Sequence, residues 1–481
     1  MSVMIKEILK RQIIKNSLLN FISRSFVLII SVVFIAYISR KLTKFELGIF
    51  AVMNIFMGII PLIVGLGLAT SAIRLVPELK AKGNFEKVSD IIKLTVSLPI
   101  PETILITLLG VILSKFLSIV FLKSYQYSEY IIWIILISFF YSFFERIILV
   151  YQSLQDFKKI AFLSIFMNLL SRILAIIFLL NGYGIVGIFQ GFLIGTILGV
   201  TVGIFTLRKY VFSRYYGYPI KEYVKFSFPY YLQGWAQFTF TQLDQFVVSL
   251  VFTPEVLAIF FIGKKIISSF ILIFTALKEV INVKMAEIKG RGIENFKNNL
   301  SKIGRVLILI GNILTLFVIF NSKLLTVLLG SNLYSNYYYI TILFAFYIFF
   351  FSIFAVLNTG IYIIETSREF LKISIHFGIV NLLVTVVVTV LLKLIGLSIS
   401  QSLSSIYAIY YIFKRFQTKW IDISFKFIIL NSLLVLFSGA IGIFLNLFLN
   451  PTICFTVSLI VILSIITILR QKITNILTEI I

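Results

Sequence analysis

Apolar runs of about 20 residues recur along the chain from Ser17 to Arg470, and this repetition restricts the fold more than any other feature. A helix of about 20 mostly apolar residues crosses the hydrocarbon core of a bilayer. Helices are required because lipid offers backbone groups no hydrogen-bond partner. Of the 481 residues, 60% are hydrophobic, against about 45–50% in soluble domains. The sequence therefore predicts an all-α integral membrane protein with about 14 transmembrane helices.

The predicted spans follow one another with short polar loops between them. In chain order they are 17–39, 48–72, 91–113, 130–152, 160–180, 184–207, 226–250, 256–280, 303–321, 337–364, 370–392, 396–412, 424–447 and 452–469.

The net charge of +24 would indicate nucleic acid as the partner of a soluble protein. Here the basic residues lie mainly in short loops between apolar runs, where they report membrane orientation. When the N-terminus is placed in the cytoplasm, the cytoplasmic loops carry far more Lys and Arg than the outer loops. We therefore predict a multi-pass protein of the cell membrane, with both termini cytoplasmic, lipid around it and no nucleic-acid partner.

Cofactor chemistry finds little support in the sequence. The single cysteine, Cys454, cannot form an internal disulfide, and no Cys/His spacing typical of a metal site occurs. No GxxxxGK[ST] motif for ATP binding is present. We expect neither a metal nor a cofactor.

Three pairs of segments repeat in order along the chain. TKFELGIF matches TPEVLAIF, PELKAKGNFE matches AEIKGRGIEN and SKFLSIVFL matches SKLLTVLLG, at offsets of 210, 209 and 208 residues. Each repeat carries six spans, so both copies enter the membrane from the same side and form parallel repeats. The predicted domains are a six-helix lobe (1–207), a basic cytoplasmic linker (208–225), a second six-helix lobe (226–412) and two additional transmembrane helices with a tail (413–481).

Span seven carries polar residues on one face. Gln233, Gln237, Thr241 and Asp244 are spaced i, i+4, i+8 and i+11, which places them together on a continuous helix. A polar stripe is costly against lipid, so it lines a cavity or hydrogen-bonds to other helices. With the polar residues of spans one and eight, it predicts a chamber between the two lobes.

Cations also occur within the predicted spans. Arg24 lies in the inner half of span one, and Lys264 and Lys265 lie deep in span eight. An ionised side chain at the bilayer centre costs about 2.5–3.5 kcal/mol and therefore faces protein or water; for Arg24 the alternative is snorkelling to the headgroups. Lys264 and Lys265 are adjacent and point in different directions, so we expect one of them to face the chamber.

Other residues within the spans have structural interpretations. Five glycines in span six form a GxxxG ridge typical of close helix packing, whereas Glu145 and Arg146 neutralise each other or a neighbour. His376 is interpreted as a packing residue, with proton transfer as the alternative. The ridge consists of Gly187, Gly191, Gly195, Gly199 and Gly203, and the expected bend points are Pro61, Pro99 and Pro101.

Several segments resemble the polysaccharide flippases of the multidrug/oligosaccharidyl-lipid/polysaccharide exporter superfamily. These are Ser23-Arg24 followed by SRKLTKFELGIF, GLGLATSAIRLVPELKAKGNFEKV, KFSFPYYLQG with Gln242-Leu243-Asp244-Gln245, and LLGSNLYSNYYYITIL. The resemblance implies a V-shaped pair of lobes around a cavity lined by spans one, two, seven and eight. It also implies a polyprenyl or dolichyl (pyro)phosphate-linked oligosaccharide as the substrate. Of the cations, only Arg24 carries over from the family pattern.

The resulting prediction is a flippase that moves a lipid-linked oligosaccharide across the membrane by alternating access of its lobes. Arg24 with Lys264 or Lys265 would hold the phosphates, and Gln233, Gln237 and Thr241 would bind sugar hydroxyls. Asp244 would balance charge or bind a coupling ion. We also expect partners among other proteins of glycan assembly.

Two alternatives remain at this point. A multidrug or cation exporter of the same superfamily would need an acidic chamber, whereas the deep charges here are mostly basic. A membrane glycosyltransferase or polymerase acting on lipid-linked sugars would need carboxylates in long outer loops. Here Glu46, Glu129 and Glu255 are isolated and the outer loops are short. We therefore predict a transporter and not an enzyme.

Overall fold

A computed structural model describes residues 2–290, 292–416, 423, 425–448 and 453–456. The described part of the chain is 91% helical and contains no strand. Eleven of the described helices are long and apolar enough to cross a membrane. The predicted class, an all-α multi-pass membrane protein, is confirmed.

The chain divides into two compact units, Met1–Ala258 and Ile259–Ile481. The first unit includes α10 and α11, which the sequence repeat assigns to the second lobe. Its helices are α1 (Ser2–Lys41), α2 (Lys44–Ile63), α3 (Leu68–Ala81), α4 (Phe85–Ser97), α5 (Ile100–Ile112), α6 (Ser114–Leu122), α7 (Ser128–Ser153), α8 (Phe157–Leu180), α9 (Gly184–Val211), α10 (Ile220–Thr241) and α11 (Leu243–Val251).

Helix α12 (Pro254–Lys289) begins in the first unit and continues into the second. Both units contain a nine-residue helix, then a 3₁₀ turn and a long helix: α6, Tyr125–Tyr127 and α7 in the first, and α14, Asn332–Tyr337 and α15 in the second. This common order of elements falls on the third pair of repeated sequence segments. The remaining helices are α13 (Ile293–Phe320), α14 (Ser322–Gly330), α15 (Tyr338–Ile364), α16 (Ser367–Phe416) and α17 (Phe425–Phe448).

Within the described residues, the helices do not correspond one to one with the fourteen predicted spans, for identifiable reasons. Helix α16 covers the two spans predicted at 370–392 and 396–412, and it kinks at Lys393, whose φ is 51°. The span predicted at 226–250 is divided between α10 and α11. The span predicted at 452–469 lies almost wholly outside the described residues.

Two more spans of the first unit are interrupted. Span two ends as α2 after Pro61 and resumes as α3, with Leu66 at φ 44° and Gly67 at φ 70° between them. Span three is interrupted at Pro99, which separates α4 from α5. Proline removes a backbone donor and blocks the preceding turn, so the interruptions fall close to the prolines. A Cβ at Gly67 would lie 2.5 Å from the backbone N of Tyr231 on α10, so this break allows a close approach of two backbones.

The glycine ridge of α9 packs against its neighbouring helices, as its spacing predicts. A Cβ at Gly191 would lie 2.5 Å from Ala175 Cα, and one at Gly195 would lie 2.6 Å from Ser171 Cα, both on α8. Such distances leave no room for a side chain, so the ridge lets the α8 and α9 backbones meet.

The linker between α9 and α10 is held by polar side chains of α4. The Asp90 carboxylate is fully buried and accepts the backbone N–H groups of Tyr216 and Tyr218, each at 2.9 Å. Lys93 Nζ donates to the Ser213 carbonyl at 2.8 Å. These bonds satisfy backbone groups that no regular helix would satisfy, and they fix the point where the chain turns into α10.

Candidate functional site

Helix α10 presents three of the predicted polar residues on one face. Gln233 is half-buried, whereas Gln237 and Thr241 are exposed. The Thr241 hydroxyl donates to the Gln237 carbonyl at 3.1 Å, which is the usual way for a helical threonine to satisfy its donor. The structure therefore brings these three side chains together.

Asp244 does not belong to that face. Gln242 leaves the helical conformation, with φ −136° and ψ −12°, so Asp244 begins a separate helix. Its side chain is only 1% exposed, and its Oδ1 accepts the Gln245 backbone N–H at 2.8 Å. The predicted i+11 relation requires an uninterrupted helix, and the break at Gln242 removes it.

The side chain of Gln242 has a close neighbour in α2. A Cβ at Gly58 would lie 2.5 Å from Gln242 Cδ, so a larger residue at position 58 would require the Gln242 side chain to move. Gln242 Oε1 is buried without a hydrogen-bond partner in the described structure. Discontinuous helices are typical of transporter binding sites because they place backbone groups and polar side chains inside the membrane.

The first half of α10 is anchored to α3 and α4. Tyr223 is fully buried, and its hydroxyl donates to the Leu68 carbonyl at 2.8 Å and lies 2.6 Å from Thr95 Oγ1. The hydroxyls of Ser71 and Ser227 lie 2.6 Å apart, also fully buried. The N-terminal half of α10, which precedes the polar face, is thus fixed by buried hydrogen bonds to α3 and α4.

The other end of this segment is held by Lys123, which follows α6. Its Nζ donates to the Leu250 carbonyl of α11 at 2.7 Å and to the Val120 carbonyl of α6 at 2.8 Å. Partial burial lowers the pKa of Lys123 from its ordinary value because it disfavours the charged form. A cation at two helix C-termini satisfies terminal carbonyls and complements the helix dipoles.

Arg24 lies on α1 with an exposed side chain, whereas Ser23 is 4% and Ser31 7% exposed. Arg24 and Ser31 therefore do not share the same surroundings on α1. The Asn20 side chain lies outside the described part of the chain.

Lys264 and Lys265 belong to α12 in the second unit, and the structure distinguishes them. The Lys264 side chain is 9% exposed, whereas Lys265 is half-buried. The Ser268 hydroxyl donates to the Lys264 carbonyl at 2.8 Å. Lys264 is therefore the more enclosed cation of the pair.

Three further charged residues lie within the spans of the first unit. Glu145 accepts the Tyr141 hydroxyl at 2.7 Å, whereas Arg146 Nη2 donates to Thr103 Oγ1 at 2.9 Å. Arg172 donates to the Asn168 carbonyl at 2.9 Å and lies between two phenylalanine rings, each 5.9 Å from its guanidinium carbon. Sequence reasoning grouped Glu145 with Arg146 because they are adjacent, but consecutive helical residues point in different directions.

His376 on α16 has partners within the second unit. Its Nε2 lies 2.9 Å from the Tyr407 hydroxyl, and its ring centroid lies 4.9 Å from that of Tyr411. These contacts join the two arms of the kinked helix and agree with a packing role. Among the residues that the structure describes, no group of three or more His, Cys, Asp or Glu could hold a metal ion.

Solved structures with the same fold are transporters. The lipid II flippase MurJ in an inward closed conformation matches with a TM-score of 0.70 and 19% identity, over 96% of this chain and 100% of that one. An inward-facing multidrug resistance MATE family transporter of the MOP superfamily matches with a TM-score of 0.68 and 15% identity, over 81% of this chain and 94% of that one. This chain shares its fold with both of these transporters.

The sequence profile described as "Polysaccharide biosynthesis protein" matches residues 13–281, more than half of the chain. The chain belongs to this family. No curated protein matches the chain in sequence.

Proposed function

We propose that this transporter is a flippase for an oligosaccharide linked to a polyprenyl or dolichyl (pyro)phosphate. It would move this substrate across the cytoplasmic membrane during polysaccharide or glycan assembly. The observation that supports the proposal best is the enclosed Lys264 ammonium within an apolar span. An ionised side chain within an apolar span faces protein or water, and a lysine ammonium is a point charge that suits phosphate oxygens.

The other polar residues match the remaining parts of such a substrate. Arg24 is exposed on α1 and offers the planar donor fork that suits phosphate oxygens. Gln233, Gln237 and Thr241 lie on one face of α10 and would hydrogen-bond to sugar hydroxyls. The lipid tail would stay in the bilayer while the polar headgroup crosses.

Turnover would follow alternating access, in which the lobes expose the bound headgroup first to one side of the membrane and then to the other. The orientation inferred from the loops places both termini in the cytoplasm, where the lipid-linked sugar would be loaded. Other proteins of glycan assembly would supply the substrate and receive it.

A multidrug or cation exporter is the second candidate, and the likeness to a MATE family transporter favours it. A cation site needs an accessible carboxylate near the substrate. Asp244 is the acid nearest in sequence to the polar face of α10, and its side chain is 1% exposed. This enclosure favours a role in charge balance or ion binding over direct capture of a cationic drug.

Ligand-dependent stability of the purified protein tests the substrate class. A ligand that binds only the folded state raises the free energy of unfolding by about 2.7 kcal/mol at 100 times its dissociation constant. We expect a polyprenyl diphosphate oligosaccharide to raise the melting temperature by several degrees, and the same lipid without its phosphates to leave it unchanged. A melting temperature raised by a lipophilic cation and not by the diphosphate lipid would contradict the proposal in favour of the exporter.

A further inference from the structure

The linker (residues 208–225) lies at the surface of the membrane by its position in the chain. The span Gly184–Val211 ends within it, and α10 begins at Ile220 and continues into the span predicted at 226–250. A short segment between two spans stays near the depth of the lipid headgroups, which extend the bilayer from about 30 Å of hydrocarbon to about 40–45 Å. The exposed side of the linker therefore faces headgroups.

The linker carries an excess of positive charge that the protein does not neutralise. It contains five basic residues and one acid, Glu222, and all six side chains are exposed. None of the five forms an ion pair with a carboxylate in the part of the chain that the structure describes. Elsewhere in this unit, Lys82 pairs with Glu78 at 2.7 Å and Lys159 with Asp156 at 3.5 Å. The basic residues of the linker are Arg208, Lys209, Arg214, Lys221 and Lys225.

Large apolar side chains are exposed between these cations. Phe212 is 76% exposed, Tyr216 51% and Ile220 44%. Segments that lie in the membrane interface combine Lys and Arg with large apolar side chains, which enter the boundary between headgroups and acyl chains. The apolar stems of Lys and Arg cover hydrocarbon while their charged ends stay among the headgroups. This combination is therefore suited to a surface that is both anionic and apolar.

The opposite side of the linker is fixed to α4, so its cations and rings occupy defined positions. Asp90 accepts two backbone N–H groups of the linker, and Lys93 donates to the Ser213 carbonyl. The Ser213 hydroxyl also lies 2.7 Å from that of Ser89. A segment held in this way loses little further conformational freedom when it binds a ligand, which favours affinity.

We propose that the linker is a docking surface for anionic phospholipid headgroups. Arg208, Lys209 and Arg214 would contact the lipid phosphates, while Phe212 and Tyr216 would enter the boundary between headgroups and acyl chains. Each Lys or Arg near an anionic surface strengthens binding about fivefold. Because α10 begins within the linker, bound lipid would also stabilise the start of the helix that carries the polar face. The ligand is a lipid of the surrounding membrane, so this inference goes beyond the proposed substrate.

Native mass spectrometry of the full-length protein in a neutral detergent tests this surface. Titration with phosphatidylglycerol and with phosphatidylcholine gives the apparent dissociation constant of each lipid. We expect the wild type to bind phosphatidylglycerol more tightly. The triple variant Arg208→Gln/Lys209→Gln/Arg214→Gln should bind it at least about tenfold more weakly. Glycerol phosphate has the anionic headgroup without acyl chains and should not compete; effective competition would show a site for a free anion and overturn the lipid assignment.

A charge-matched variant separates the linker from the positive charge of the whole protein. Lys82, Lys159 and Lys372 each form an ion pair with a carboxylate. Replacing these three lysines together by glutamine removes the same formal charge as the linker variant, and we expect it to keep the wild-type affinity for phosphatidylglycerol. An equal loss of affinity in both triple variants, or no loss in the linker variant, would refute the proposed surface.

The exposed ring of Phe212 provides a test that leaves every charge in place. We expect Phe212→Ser to weaken phosphatidylglycerol binding, and Phe116→Ser, which removes a 61% exposed ring on α6, to leave it unchanged. Wild-type affinity in Phe212→Ser would contradict a surface that reaches the acyl chains. These measurements contain no lipid-linked sugar, so their outcome is separate from that of the proposed transport.

Discussion

Replacing Lys264 by alanine is expected to reduce translocation of a diphosphate-linked oligosaccharide by about 10- to 100-fold. Hydrogen bonds to charged groups contribute about 1.5–3 kcal/mol, and each 1.4 kcal/mol corresponds to a factor of ten. Arg24→Ala should reduce translocation in the same direction, because both cations would contact the phosphates. The measurement is the initial rate of translocation in proteoliposomes that contain equal amounts of folded protein.

The neighbouring lysine provides the matched control. Lys265→Ala removes an identical side chain one residue away, but Lys265 is half-buried and points in a different direction from the enclosed Lys264. We expect Lys265→Ala to retain most of the wild-type rate. Equal rates for Lys264→Ala, Arg24→Ala and the wild type would remove these cations from the site while leaving the fold intact.

The second large effect is expected on stability, at the glycine ridge of α9. In Gly191→Leu the new Cβ would lie 2.5 Å from Ala175 Cα, so α8 and α9 must move apart. Overpacking of this kind costs about 1–3 kcal/mol, and separating the helices also loses contacts along the ridge. We expect a clearly lower melting temperature in detergent and a smaller folded fraction on size-exclusion chromatography.

Thr201→Leu is the control for added volume in the same helix. Thr201 is exposed on α9, so a larger apolar side chain there would face lipid. This variant should keep the wild-type melting temperature. If Gly191→Leu were as stable as Thr201→Leu, close packing of α8 against α9 would not be what these glycines provide.

Apolar length and glycine spacing were sufficient to predict the fold class and the ridge. Both depend on local rules: a span needs a certain length in hydrocarbon, and residues four apart share a helix face. The interruption at Gln242 could not be predicted from those rules, because the spacing of the polar residues around it is that of one continuous helix. The Gln242 side chain lies beside Gly58, which is far from it in sequence, and local rules do not reveal such a neighbour.

The buried charges show the same limit. The sequence left open whether Glu145 and Arg146 neutralise each other or a neighbour, and in the structure Glu145 is bonded to Tyr141 and Arg146 to Thr103. Likewise, adjacent positions could not separate Lys264 from Lys265, because their difference arises from packing. The substrate contacts and the role of Asp244 in charge balance or ion binding stay predictions. The predicted substrate contacts are Arg24, Lys264, Lys265, Gln233, Gln237 and Thr241.

Reconstitution of the purified wild-type protein tests the account most directly. A polyprenyl diphosphate oligosaccharide with a fluorescent sugar is placed in both leaflets of a proteoliposome, and the inner pool is followed as it becomes accessible to a membrane-impermeant quencher. The account predicts that fluorescence is quenched to completion at a rate that increases with the amount of protein, while protein-free vesicles retain their inner pool. An inner pool that stays protected in the presence of folded protein, in vesicles that expel a lipophilic cation, would contradict it.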